Sequence, residues 1–294
     1  MTDHYEVHTT PVLSAPVLVV AMEGWLDAGL GAANAAELLM EHPPATPVVT
    51  FDADHFLDLR ARRPVARIVD GVTTELQWPK AQLRHGHDQA GADVLFLVGP
   101  EPDYHWREFV DAVVSLAMRY GVRLVVGLGA FPAPAPHTRP VRLAATAPPG
   151  SADLATTVGV VHGEIEVPAG VLAALELGMG EAAIPTVSLW ARVPHYVSAM
   201  PFPMASAALV DGLAAVSGLV LDATVLRAAG DRARNQVDEL IAGNPEHSAM
   251  VSKLEEAIDA SEGNPLGLEA VPSADELAAE LERFLRGEGH WEAG

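Results

Sequence analysis

Two continuous apolar runs joined by a helical stretch stand at the centre of the chain. The first run covers residues 94–98, a polar turn covers residues 99–106, and the second run covers residues 124–127. Apolar runs without polar alternation are typical of parallel strands, because helices cover both faces of a parallel sheet. This order of elements predicts a parallel βαβ unit whose helix ends at Tyr120.

Shorter segments of the same kinds surround this unit. Strands are predicted over residues 17–21, 47–52, 83–88, 141–147 and 184–191, and helices over residues 30–40, 151–156, 169–179 and 204–218. Two strand-like runs flank Asp70-Gly71, a pair that favours a tight β-hairpin. Strands that alternate with helices predict an α/β fold with a mixed, largely parallel sheet flanked by helices.

The composition changes at Asp222, and the change predicts a domain division. Residues 222–294 hold 16 acidic and 6 basic residues. We expect an α/β core domain over residues 1–221 and an acidic helical extension over residues 222–294. The extension reads as a helical hairpin, with Val237, Leu240 and Ile241 on its apolar stripe, followed by a last helix that begins near Ser273. Its acidic faces are expected to be solvated, with a partner surface as the alternative.

The charge and the absence of cysteine narrow the classes of partner and compartment. The chain of 294 residues carries a formal net charge of -21. Nucleic acid and anionic membranes are therefore not expected as partners, because both bind through Lys and Arg. The sequence has no cysteine, no signal-peptide pattern and no uninterrupted apolar stretch of membrane-spanning length. We expect a soluble protein of the cytoplasm.

Five polar residues follow predicted strands and form the candidate cleft. They are Asp27, Glu101, Asp103, His137 and Arg139. Ligands of parallel sheets lie beyond the carboxyl ends of the strands, so we expect these side chains at one edge of the sheet. The carboxylates could serve acid–base chemistry, and His137 with Arg139 could bind an anion. The alternative is structural, since Asp27 and Asp103 stand where they would cap helices.

Arg139 is the strongest anion anchor of the five, because its guanidinium binds two oxygens at once. Without a ligand we expect it to pair with Asp27 or Glu101. The sequence leaves two interpretations of Arg139: it belongs to a ligand site, or it forms a buried ion pair that stabilises the fold.

No metal or cofactor is expected. His85 and His87 would present both imidazoles on one face of a strand, but the sequence places no third ligand beside them. The glycine-rich loops that bind nucleotides are missing in the required context.

Several segments, in their order and spacing, resemble the proteasome assembly chaperone two family, with the closest likeness to its high-GC bacterial branch. The resemblance covers residues 17–221. The segments are Gly24-Trp25-Leu26-Asp27-Ala28-Gly29, residues 58–64, Asp70-Gly71 with Trp78-Pro79, Gly99-Pro100-Glu101-Pro102 with Trp106, and Pro136-His137-Thr138-Arg139-Pro140.

The resemblance implies a sandwich like that of phosphorylases and hydrolases, and a role in assembly. Relatives help to build proteasome rings and are not known as enzymes. It implies a non-enzymatic, chaperone- or scaffold-like protein that binds protein partners. The apolar helix at residues 204–218 and the scattered tryptophans favour a homo-oligomer. The alternative is a small-ligand binder or enzyme that uses the phosphorylase-like cleft.

The end of the chain departs from the family pattern. Relatives that dock on proteasome rings end in a hydrophobic residue, tyrosine and any residue. This chain ends His290-Trp291-Glu292-Ala293-Gly294. Docking by that route is therefore not expected.

Overall fold

The computed structural model describes residues 4–24, 26–41, 43–160 and 163–262. Ten β-strands lie within these residues, eight in one sheet and two in a separate hairpin. The strands are β1 (Tyr5–Val7), β2 (Val17–Glu23), β3 (Thr46–Phe51), β4 (Val65–Val69), β5 (Val72–Gln77), β6 (Gln82–His87), β7 (Asp93–Pro100), β8 (Leu124–Ala133), β9 (Leu143–Thr146) and β10 (Thr186–Pro194).

The main sheet has the order β1-β3-β6-β7-β2-β8-β10-β9. The four central strands β7, β2, β8 and β10 run parallel, and the pairs outside them are antiparallel. The predicted mixed α/β sheet is confirmed, with its parallel part at the centre.

Eight α-helices accompany the strands in the described part of the chain. They are α1 (Gly31–Glu41), α2 (Ala53–Phe56), α3 (Trp106–Arg119), α4 (Ala152–Val158), α5 (Val171–Glu181), α6 (Pro203–Ser217), α7 (Thr224–Ala242) and α8 (Pro245–Glu262). The helices that flank the sheet form a layer on each of its faces.

Strand β2 shows how the sheet is buried on both faces. Val17 and Val19 pack with α1 and α6 on one face, whereas Leu18 and Val20 pack with α3 and α5 on the other. Successive side chains of a strand point to opposite faces, so an unbroken apolar run is what a strand between two helical layers requires.

Strand β8 continues to Ala133, beyond its predicted end at residue 127. Gly127 and Gly129 look like turn signals in the sequence, but they lie inside the strand. A Cβ at Gly127 would meet the side chain of Leu172, and one at Gly129 would meet the ring of Trp190. The glycines are needed because two large side chains lie directly on the strand.

The hairpin β4–β5 is separate from the main sheet, and every residue of both strands is exposed. Its two-residue turn is Asp70-Gly71, with φ values of 48° and 81°. Positive φ at both positions is the requirement of the tight turn that favours Asp-Gly. Pro64 precedes the hairpin and Pro79 follows it.

Helices α7 and α8 follow one another and are separated by Gly243 and Asn244. Leu226 and Val237 of α7 are buried in the core that lies beneath α6, and Val251 of α8 is buried too. Leu240, predicted on the apolar stripe, is 69% exposed, so that part of the prediction is wrong. Leu240 lies on the side of α7 that faces away from the core, whereas Ile241 packs against the core. The helix predicted from Ser273 lies outside the described residues. Among the described helices, none has the length and apolar character needed to cross a membrane.

Candidate functional site

The carboxyl ends of the four parallel strands lie at one edge of the main sheet. Strand β2 pairs in parallel with β7 and β8, and β8 pairs in parallel with β10. The loops that follow β2, β7 and β8 carry the five predicted site residues. Within the described part of the chain, however, no hydrogen bond or ion pair joins any two of the five side chains.

Asp27 caps helix α1. Its carboxylate accepts hydrogen bonds from the backbone N–H groups of Ala32, at 2.8 Å, and Ala33, at 3.0 Å. Burial raises the pKa of Asp27, while the backbone N–H groups of Gly31, Ala32 and Ala33 act in the opposite direction. Free N–H groups at the start of a helix favour such a carboxylate. Asp27 therefore has a structural partner for each of its oxygens.

Glu101, in the loop after β7, contacts both the loop after β2 and helix α5. One of its carboxylate oxygens accepts a hydrogen bond of 3.0 Å from the backbone N–H of Val171, the first residue of α5. A Cβ at Gly24 would lie 2.8 Å from the carboxyl carbon of Glu101. Gly24 is thus the residue that lets the two loops approach, and Glu101 acts as a helix cap from a distant part of the chain.

Asp103 anchors the loop that leads to the hairpin. Its carboxylate accepts a hydrogen bond of 2.7 Å from the backbone N–H of Asp58 and one of 3.2 Å from Nε of Arg62. Its own N–H donates to the carbonyl of Phe56 at 2.8 Å. Asp103 therefore holds residues 57–62 against the start of α3, rather than capping α3 itself.

His137 is buried, with 4% of its surface exposed, and lies between Tyr196 and Asp238. Its Nδ1 is 2.7 Å from the hydroxyl of Tyr196, and its Nε2 is 2.9 Å from Oδ1 of Asp238. Both contacts are satisfied when Tyr196 donates to Nδ1 and Nε2–H donates to Asp238. The chain of bonds connects the loops after β8 and β10 with helix α7.

The order Tyr196–His137–Asp238 resembles a catalytic triad in its contacts, but the phenol is not activated. Burial raises the pKa of Tyr196 to about 12, and the negative charges of Glu255 and Asp238 act in the same direction. A lowered pKa would favour a nucleophile, whereas the raised pKa of Tyr196 favours its neutral form. Tyr196 stays protonated at neutral pH, which suits a structural hydrogen bond.

Arg139 pairs with helix α8, not with Asp27 or Glu101 as predicted. Its Nε and Nη2 bind the two oxygens of Asp259 at 2.9 and 2.7 Å, and its Nη1 lies 3.1 Å from Glu255. The bond to Asp259 raises the pKa of Arg139 and lowers that of Asp259. The prediction of its partner was wrong because the acidic face of α8, expected to be solvated, folds back onto this loop.

The same loop is also held by α7. Nη2 of Arg234 donates to the carbonyl of Thr138 at 2.9 Å, and the Thr138 hydroxyl donates to Glu255. Residues 137–139 therefore bind both C-terminal helices. Sequence reasoning missed Asp238, Glu255 and Asp259, and their only local signal was an acidic residue on a helix.

A small cavity of about 60 Å³ lies beside this loop. Its lining residues include several prolines together with Arg139, Arg142 and Arg192. Nε of Arg192 is buried and has no hydrogen-bond partner among the described residues. Burial lowers the pKa of Arg192, and the charge of Arg142 lowers it further. Because Arg139 already binds Asp259 and Glu255, Arg192 is the arginine best placed to bind a small anion in this cavity.

Three histidines and a glutamate form another polar group at this edge. His4 stacks on His55 and His55 stacks on His105, with ring centroids 3.6 and 4.2 Å apart. Nε2 of His55 is 2.9 Å from Glu108. No local pattern indicates this group, because its members come from the residue before β1, from helix α2 and from the start of α3.

The fold defines a class of α/β sandwich proteins that is also seen in an archaeal protein of solved structure. Pyrococcus furiosus PbaB, an archaeal proteasome activator, matches with a TM-score of 0.61 and 18% identity, over 80% of this chain and 97% of that chain. At this identity the likeness shows the fold alone.

A model of the PAC2 family matches residues 21–241, and the chain therefore belongs to the PAC2 family. A Mycobacterium tuberculosis proteasome-assembly chaperone homologue is 37% identical, with a TM-score of 0.74 over 80% of this chain and 99% of that chain. A second M. tuberculosis protein, of unknown function, is 32% identical, with a TM-score of 0.81 over 97% and 93%. No curated protein matches the sequence. The predicted family resemblance is confirmed.

Proposed function

We propose that this chain is a non-enzymatic, chaperone-like protein that binds other proteins, and that the hairpin β4–β5 is its contact surface. The observation that carries the proposal is the exposure of the hairpin. Val65, Ile68 and Val72 are 63–65% exposed, and Leu76 and Trp78 are about half exposed. Large apolar side chains grouped on a surface mark an interaction site, and an isolated two-stranded hairpin is only marginally stable in water.

The pairing of the hairpin divides its apolar side chains between two faces, with Ala66, Ile68 and Leu76 on one face and Val65, Val69 and Val72 on the other. Ala66 pairs with Leu76, and Ile68 lies two residues beyond Ala66 on the same strand. Side chains that pair across strands, or that stand two residues apart, share a face. Ala66, Ile68 and Leu76 therefore form one apolar face, which a partner can cover.

We assign a second copy of the chain as the first partner. Arg60, Arg62 and Arg63 precede the hairpin, and Arg67 lies within it, in a chain whose net charge is -21. A second copy offers an acidic surface to this basic segment, and complementary charge favours association. The family membership supports the chaperone-like role, since one relative is a proteasome-assembly chaperone homologue.

The test compares two lysine substitutions at neighbouring positions. Leu76→Lys places a charge on the apolar face, whereas Gln77→Lys adds the same charge at a polar position that points to the opposite face. We expect light scattering to give a mass above 30.9 kDa for the wild-type protein and for Gln77→Lys, and a monomer for Leu76→Lys. A wild-type monomer at micromolar concentration would show that self-association is wrong. Equal masses for the two variants would exclude the hairpin.

The arginine-lined cavity favours a second candidate function, the binding of a small anion such as phosphate or a carboxylate. Phosphate at 100 times its dissociation constant should raise the free energy of unfolding by about 2.7 kcal/mol. Arg192→Gln should remove this effect in a thermal-shift measurement. Arg107→Gln removes the same charge from an exposed position on α3 and should keep it. No effect of phosphate or small carboxylates on the wild-type protein would reject this function.

A further inference from the structure

We propose that His85, His87 and Asp93 bind a divalent transition-metal ion, with Zn²⁺ as the preferred ion. The three side chains lie where β7 begins, at the edge of the sheet opposite the candidate functional site. This inference is independent of the proposed function.

The strands place the three side chains on one face. His85 and His87 are two residues apart on β6, so their imidazoles point the same way. Asp93 lies directly across from His87 on β7, in a register that continues along both strands. The sequence showed the two histidines, but only the pairing of β6 with β7 supplies the third ligand. A site built on strands holds its ligands more firmly than a site on loops.

The distances suit a tetrahedral ion. Oδ1 of Asp93 is 2.8 Å from Nε2 of His85 and 3.3 Å from Nε2 of His87. Ligands bonded to Zn²⁺ at about 2.0–2.1 Å in a tetrahedron stand roughly 3.3 Å apart. The two rings have centroids 4.7 Å apart and planes inclined by 64°, so their nitrogen lone pairs can converge on one point.

The neighbouring residues orient the carboxylate of Asp93 and leave the site accessible to an ion from solvent. The backbone N–H of Ser14 donates to Oδ2 of Asp93 at 2.8 Å, which leaves Oδ1 to the two histidines. Hydrogen bonds of this kind commonly fix the ligands of a metal. The side chains of His85 and Asp93 are 16% exposed, and that of His87 is 43% exposed. An ion can enter past His87, and water can take the fourth position.

The ligand chemistry selects the class of ion. Two imidazole nitrogens and one carboxylate oxygen suit Zn²⁺ and its neighbours among the transition metals. Ca²⁺ and Mg²⁺ prefer sites built from oxygen alone, so we do not expect either ion to compete.

The histidine stack at the other edge provides an internal comparison. Nitrogen atoms of His4 and His55 and an oxygen of Glu108 also lie close together. However, the planes of His4 and His55 are inclined by only 5°. The lone pairs of two stacked rings run side by side and do not meet at one ion. We therefore assign the metal to His85, His87 and Asp93.

The experiment measures Zn²⁺ binding to the full chain after chelator treatment. We expect calorimetry to show one tight site in the wild-type protein. His87→Ala should weaken it by more than about 100-fold, since even the loss of a residue that only orients a ligand costs 10–100-fold. His247→Ala removes an exposed histidine of α8 and is the matched control; we expect unchanged binding.

Co²⁺ gives a second readout, because its visible absorption reports the coordination geometry. The wild-type protein and His247→Ala should show the intense bands of a tetrahedral N- and O-ligated ion, and His87→Ala should lose them. Asp93→Asn should bind more weakly while it keeps the shape of the side chain. If the wild-type protein binds no Zn²⁺, the proposal is wrong. It is also wrong if His55→Ala removes the binding and His87→Ala does not.

Discussion

The loops at the carboxyl edge and the hairpin β4–β5 differ in how their side chains are partnered. At the carboxyl edge, Asp27, Glu101 and Arg139 each have partners that belong to the chain itself. In the hairpin, Ile68 and Val72 are each 63% exposed and cover nothing. Polar groups that already have partners stabilise the fold, whereas unpartnered apolar groups leave free energy available for association.

The comparison shows that polar residues beyond parallel strands are not a sufficient sign of a ligand site. In this chain most of them connect secondary-structure elements: Asp27 to α1, Glu101 to α5, and Arg139 to α8. The arginine-lined cavity differs, because the buried Nε of Arg192 has no hydrogen-bond partner among the described residues. The following predictions test how far the two regions differ.

The largest effect is expected at His137. His137→Ala removes the link between Tyr196 and Asp238 and leaves the Tyr196 hydroxyl without its acceptor. We expect the free energy of unfolding to fall by about 1–3 kcal/mol, the cost of an unsatisfied partly buried polar group. Tyr196→Phe should cost a similar amount, because it leaves both Nδ1 and the backbone N–H of His137 without a partner. Chemical denaturation measures both, and a neutral His137→Ala would contradict the structural role.

An intermediate, pH-dependent effect is expected on the attachment of helix α8, which Arg139 binds. Arg139 lowers the pKa of Asp259, so the pair stabilises the folded state above the ordinary pKa of 3.8 and ceases to do so as the pH falls through the lowered value. Because the chain has no cysteine, Ser252→Cys offers a single labelling position on α8. The anisotropy of a fluorescent label there should decrease in acid. In Arg139→Gln it should already be low at neutral pH, and identical acid profiles would argue against the pair.

The smallest effect on stability is expected in the hairpin. Ile68→Ser should change the free energy of unfolding of the dissociated protein by no more than about 0.5 kcal/mol, since the side chain is exposed. Leu209→Ala, on the buried face of α6, should cost about 2–5 kcal/mol. Denaturation at high dilution separates folding from association. A large loss in Ile68→Ser would mean that the hairpin supports the fold of the single chain.

The elements of the fold were predictable where their pattern is local. The apolar runs of β2 and β7, the amphipathic helix α3 and the Asp70-Gly71 turn all follow from neighbouring residues. Strand β1 was missed because it is only three residues long and has no apolar run. Its pairing with β3, and not a pattern in its own sequence, makes it a strand. The extent of β8 was missed because its glycines serve packing and not a turn.

The partners of the candidate site could not be predicted from the sequence. Arg139 and Asp259 are separated by 120 positions, and His137 and Asp238 by 101. An acidic residue on a helix has the same local pattern whether it faces water or an arginine. Asp93 likewise becomes a neighbour of His85 only through the antiparallel register of β6 and β7. Such contacts depend on the order of elements in space, which local periodicity does not contain.

The two outer strand edges of the hairpin affect how readily the protein aggregates in solution. Backbone N–H and C=O groups on a free strand edge can pair with a strand of another molecule and start aggregation. Pro64 and Pro79 both stand at the open end of the hairpin, opposite the Asp70-Gly71 turn, and proline has no N–H to extend such a ladder. Any added strand is therefore limited to the length of β4 or β5, and Arg67 and Glu75 place charge beside it. The hairpin can accept a short strand while it resists growth into a fibre.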